Sequence, residues 1–192
     1  MTRDPLLEQV RGSFENKIDQ DEFEICAVDL LSAIYSKLVP VVGGTDGGFD
    51  GAVSAPDGVY PLIATTAKDV IGNVRRNAKT YLESNPQGPR RVVVACTECL
   101  TQPRRKNIMK LQQELEIKID QVYDGHWLIE RLYRNPNWRK RLLRLSGDTP
   151  ALSALPKHSR FDEIASVLIG RGAQQERLRG LKEDLLIVGQ PG

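Results

Sequence analysis

The residues equipped for chemistry gather between Glu24 and Lys68. Asp50 follows a glycine-rich bend, Gly43-Gly44-Thr45-Asp46-Gly47-Gly48, and Lys68 closes an apolar stretch that begins at Val59. Residues 49–55 and 59–68 read as strands joined by a Pro56-Asp57-Gly58 turn, and a hairpin sets Asp50 across from the end of the second strand. Period-two alternation puts Leu62, Ala64, Thr66 and Lys68 on one face of that strand. A carboxylate and an ammonium then point into one cleft, and Glu24 on the preceding helix is near enough to join them. Carboxylates so spaced suit Mg²⁺, a hard cation that takes oxygen ligands and keeps several waters. The ion polarises a phosphoryl oxygen and acidifies a water, while a lysine stabilises developing negative charge or positions the nucleophile. Those are the parts for hydrolysing a phosphodiester. The plain alternative makes Asp50 a turn cap and Lys68 a solvated strand-end residue, and Lys79 on the next helix is the runner-up lysine.

The elements that must position these groups follow from apolar spacing. Residues 6–18 and 21–37 read as helices, the first with Pro5 in its opening turn, the second capped by Asp19 or Asp21 and stopped by Pro40. On the second, the apolar series runs from Phe23 to Leu38, and Glu22 and Asp29 fall on the wet face. Beyond the hairpin, helices are expected over 69–83, 103–115, 124–132 and 136–145, with strands over 91–97 and 117–122. Val92-Val93-Val94-Ala95 has the uniform apolarity of a strand buried on both faces. The order implies an α/β fold, a mixed sheet with helices on its faces.

Composition bounds the class. The chain has 192 residues, 40% of them hydrophobic and 27% charged, which suits a single core with a small appendage. No 18-residue apolar run is present, so a membrane-spanning helix is not expected. Three cysteines argue against a disulfide scaffold and for a reducing, cytoplasmic setting. Cys96-Thr97-Glu98-Cys99 lacks a second ligand pair, so zinc is not expected. Residues 1–60 hold four basic against eleven acidic side chains, whereas residues 86–147 hold thirteen basic against six acidic. That split places carboxylates near an anionic partner. Arg104, Arg105, Lys106 and Lys110 on one helix, and Arg139, Lys140, Arg141 and Arg144 on another, are candidate contacts to DNA phosphates. A solvated helix face is the plain alternative for either cluster, and Trp127 and Trp138 read as core residues.

Phe23-Glu24, the bend from Gly43 to Gly51 and the strand end Thr66-Ala67-Lys68 together resemble the PD-(D/E)xK nuclease superfamily, with the Mrr-like restriction endonucleases as the nearest subgroup. The resemblance implies a restriction-endonuclease-like fold and metal-dependent cutting of DNA. It makes Asp50 the metal-binding aspartate, Lys68 the catalytic lysine, Glu24 the helical acid and Asp46 the auxiliary acid of the bend. Mg²⁺ is the implied cofactor, with Mn²⁺ able to substitute, and double-stranded DNA the implied partner. Thr66 departs from the pattern, standing where the family has Glu or Gln. A hydroxyl is a weaker metal ligand than a carboxylate, so the departure also admits a weakened, nuclease-derived module for DNA binding or oligomerisation.

A second resemblance lies at the C-terminus. Leu168-Ile169-Gly170-Arg171 and then Leu185-Leu186-Ile187-Val188-Gly189-Gln190-Pro191-Gly192 are similar to the entry into a STAND-type NTPase. There a strand leads into the phosphate loop G-x-x-x-x-G-K-[ST]. The sequence reaches Gly192 before the Lys of such a loop, so it carries no complete nucleotide site, and ATP would belong only to a longer parent protein. The expected organisation is an effector domain over 1–147, a linker over 148–162 and the start of the NTPase over 163–192. The resemblance further implies antiviral defence, with self-assembly through NTPase and sensor regions. A plain linker domain, without nuclease or DNA-binding activity, is the remaining alternative.

Overall fold

The computed structural model describes residues 4–41 and 48–147, which belong to one compact unit, Met1–Thr149. The expected linker and NTPase start, residues 148–192, lie outside the described residues. Eleven elements follow in order: α1 (Pro5–Ser13), α2 (Gln20–Ser32), β1 (Leu38–Pro40), β2 (Gly51–Ala55), β3 (Gly58–Thr65), α3 (Val70–Ser84), β4 (Arg91–Cys96), α4 (Gln102–Leu115), β5 (Lys118–Tyr123), α5 (Gly125–Arg134) and α6 (Pro136–Leu143). They build an α/β domain around a five-stranded mixed sheet in the order β1-β2-β3-β4-β5. The first three strands form an antiparallel meander, and β3, β4 and β5 run parallel.

The parallel half needs crossover helices, which α3 and α4 supply while packing on each other. A second group, α1, α2, α5 and α6, is joined by mutual contacts, and β3 touches α2 from this group and α3 from the first. The centre of the sheet is therefore covered by helices, which is why Tyr60 to Thr65 of β3 and Val92 to Cys96 of β4 are buried without alternation.

Several boundaries differ from the sequence reading. α2 stops at Ser32, not at 37, because the N–H groups of Ile34 and Tyr35 both turn back to the Leu31 carbonyl (2.9 and 2.8 Å). Leu38, expected on the helix, instead pairs with Val53 in edge strand β1, where Pro40 is tolerated. α1 ends at Ser13 in i→i+3 turns from Phe14 to Asn16, leaving Ile18 buried outside any helix. β3 ends at Thr65, so Lys68 falls outside the alternation that was to aim it.

The expected wet face of α2 is a docking face. Glu22 pairs with Arg141 of α6 (2.6 Å), and Asp29 accepts the Trp138 indole N–H. Arg139, expected in a surface basic cluster, is fully buried and donates to the carbonyls of Tyr133 and Gly147.

Gly48, just before the site, has φ +85°, and a Cβ there would lie 2.4 Å from the Asn77 carbonyl of α3. Gly48→Ala combines a left-handed backbone penalty with overpacking and should lower stability by about 2–4 kcal/mol in urea unfolding.

Candidate functional site

β2 begins at Gly51, paired with Leu62, so β3 runs on past the end of its partner. The peptide groups of Ala64 and Thr66 on that edge then need other partners, because an unpaired backbone group near the core is costly. Two side chains provide them. The Asp50 carboxylate accepts the Ala64 N–H through Oδ2 at 2.7 Å. Asp50 is itself placed by its backbone N–H, which donates to the Leu62 carbonyl at 3.0 Å.

From the helix side comes Gln20, the first residue of α2, set in place by the Asp19 cap on the Glu22 N–H (3.0 Å). Its Nε2 donates to the Ala64 carbonyl at 2.9 Å and to Glu24 Oε1 at 2.7 Å. Its Oε1 accepts from the Thr66 N–H at 2.9 Å and the Thr66 hydroxyl at 2.7 Å. A primary amide has two donor hydrogens and an oxygen with two lone pairs, and here all are engaged. Gln20 and Glu24 lie one turn apart, so both face β3. The Ala64 peptide is thus bracketed, its N–H on Asp50 and its C=O on Gln20.

Asp50, Glu24 and Thr66 are accordingly brought to one stretch of β3, linked through Gln20 and Ala64. Lys68 lies two residues farther along, its side chain 80% exposed and its ammonium 3.0 Å from Glu98 Oε1. Glu98, in the loop after β4, also holds Arg104 through Oε2 at 3.3 Å. Lys68 and Glu98 line a neighbouring cleft of about 480 Å³ with Arg11, Phe14 and His126, and neither Asp50 nor Glu24 lines it. Asp46 lies outside the described residues. Lys79 is exposed on α3, near Glu114 of α4, whose carboxyl is held below its ordinary range chiefly by the Arg75 guanidinium hydrogen-bonded to it and only secondarily by the Lys79 charge.

The α4 cations divide. Arg104 is tied to Glu98, and Arg105 forms a 2.6 Å ion pair with Asp124, a fully buried carboxylate that also caps α5. Lys106 and Lys110 are exposed along a groove that they share with Arg105.

Among the described residues no group of three or more His, Cys, Asp or Glu side chains is gathered for a metal. The donors near Ala64 are nonetheless hard oxygens: the carboxylates of Asp50 and Glu24, the Thr66 hydroxyl and backbone carbonyls. That chemistry fits Mg²⁺, which is satisfied by one or two carboxylates with waters and substrate oxygens. The cysteines fit no such role. Burial pushes the Cys26 and Cys96 thiols up to about 12, and partial burial also raises exposed Cys99. All three therefore stay protonated at neutral pH.

Gln20 is the residue that sequence reasoning missed. A neutral amide carries no charge signal, and only its place one turn before Glu24 and directly after the Asp19 cap could have marked it. Comparison with family models finds no match, and comparisons with curated proteins and with solved structures find none either.

Gln20→Ala removes four hydrogen bonds and should lower stability by roughly 1–3 kcal/mol, the cost of leaving buried backbone groups unsatisfied. Iodoacetamide at mildly alkaline pH should label Cys99 alone in the folded chain, with Cys26 and Cys96 labelled only after denaturation, as read by peptide mass.

Proposed function

We propose that this chain is a divalent-metal-dependent DNA endonuclease domain of the restriction-endonuclease-like kind, the effector end of a longer NTPase-bearing defence protein. The observation that carries the reading is that Asp50, just before β2, and Glu24 of α2 are both tied to Ala64 of the central strand, Asp50 directly and Glu24 through Gln20. Bound there, Mg²⁺ would supply Lewis-acid stabilisation of the phosphoryl oxygens and a water of lowered pKa.

The chain's own residues do the rest. Asp50 and Glu24 supply negative charge at fixed positions, Asp50 through the Ala64 N–H and Glu24 through Gln20. Lys68 and Arg104 share one carboxylate, so the trio carries a net positive charge toward an incoming phosphate. An arriving phosphodiester competes with Glu98 for the exposed Lys68 ammonium, whose flexible stem lets it turn to the scissile group.

One observation favours a second reading, a weakened nuclease-derived module. Both the Thr66 hydroxyl and its N–H are engaged by Gln20, and no carboxylate stands at that position. Plasmid cleavage with Mg²⁺ or Mn²⁺ tests both. The wild-type chain should nick or linearise plasmid, EDTA should stop it, and Asp50→Ala and Lys68→Ala should each cut at least about 100-fold more slowly. Equal cutting by all three proteins would refute the assignment. An inert wild type with a cutting Thr66→Glu variant would favour the weakened module.

A further inference from the structure

The basic cluster on α6 is rearranged by the fold into a feature that the sequence pattern did not contain. Lys140, Arg141 and Arg144 line a surface depression of about 430 Å³ with Asn137 and Ser146, and among the described residues no acidic one lines it. Lys140 and Arg144 are exposed and form no ion pair among the described residues. Arg141 lies over the Trp138 ring at 4.9 Å while its edge pairs with Glu22, the acid facing this rim from α2. Asp29, also on α2, is occupied by the Trp138 indole.

On the opposite face of α6, Arg139 is fully buried and donates to the carbonyls of Tyr133 and Gly147, and its Nε has no partner among the described residues. A buried guanidinium without a carboxylate is expensive to keep. One consequence reaches the depression. By holding Gly147, Arg139 folds the segment after α6 back so that Ser146 joins the depression. Arg144 is also held at φ +58°, a left-handed conformation unfavourable for arginine.

We infer that the α6 depression is a binding site for the phosphodiester backbone of nucleic acid, with exposed Lys140 and Arg144 as its principal cations. The inference deepens the proposed function by placing the substrate's backbone. It can fail independently, because binding is measured without metal.

The test is fluorescence anisotropy of a labelled DNA duplex in EDTA, from 50 to 250 mM salt. Lys140→Ala with Arg144→Gly removes two charges, and the glycine suits the backbone at 144. This pair should weaken binding about tenfold at low salt and reduce the slope of log K against log salt by roughly 0.9 per lost phosphate contact. Lys17→Ala should change neither quantity. Wild-type affinity and slope in the α6 pair would overturn the inference, as would an equal loss in the Lys17 variant, which would reveal net charge alone. Loss of cutting in Asp50→Ala with binding intact supports both site assignments. Unchanged cutting there would remove the nuclease reading and leave the α6 result standing.

Discussion

The arrangement depends on β3 outrunning its antiparallel partner. The strand is paired with β2 on one side and β4 on the other and is buried from Tyr60 to Thr65. Where β2 no longer reaches, peptide groups remain that water cannot conveniently serve, and the chain answers with side chains. Asp50 and Gln20 finish the ladder that β2 leaves incomplete. A carboxylate enlisted for that purpose is held at a defined point, and Glu24 follows because it shares the amide of Gln20. The constraint that completes the sheet is thus the one that gathers the acids.

α2 serves two surfaces at once. Gln20 and Glu24 face β3, while Glu22 and Asp29, on another side of the helix, hold α6 through Arg141 and Trp138. Helical periodicity separates the two sets without further device. The acidic N-terminal part of the sequence therefore has distinct tasks, one at the strand end and one in helix packing. The basic part divides likewise: Arg105 neutralises buried Asp124, Arg91 pairs with Asp120, and Lys140 and Arg144 stay in solvent.

The α/β class, the hairpin and the β4 strand were legible because their signals are local: uniform apolarity at Val92–Ala95, the Pro56-Asp57-Gly58 turn and the cap at Asp19. The register past Thr65 was not, since it depends on Gln20, a residue 46 positions from Thr66. Alternation extrapolated to Lys68 failed for that reason. Leu38 was misread because its apolar side chain suits a helix face and an edge strand equally, and the turn at Leu31 decides between them. Arg139 looked like its basic neighbours; only the path of the chain to Gly147 takes it inside.

On the proposed reading, the Ala64–Thr66 edge is where a divalent ion is held. Titrating Mn²⁺ into isotope-labelled protein and following paramagnetic broadening of backbone amides tests this directly. The account predicts saturable broadening that is strongest at Asp50, Ala64, Thr66 and Glu24, is displaced by excess Mg²⁺ and is absent in Asp50→Ala. Broadening centred on another acidic region, such as Asp57 and Asp120, or unchanged by the Asp50 substitution, would contradict it.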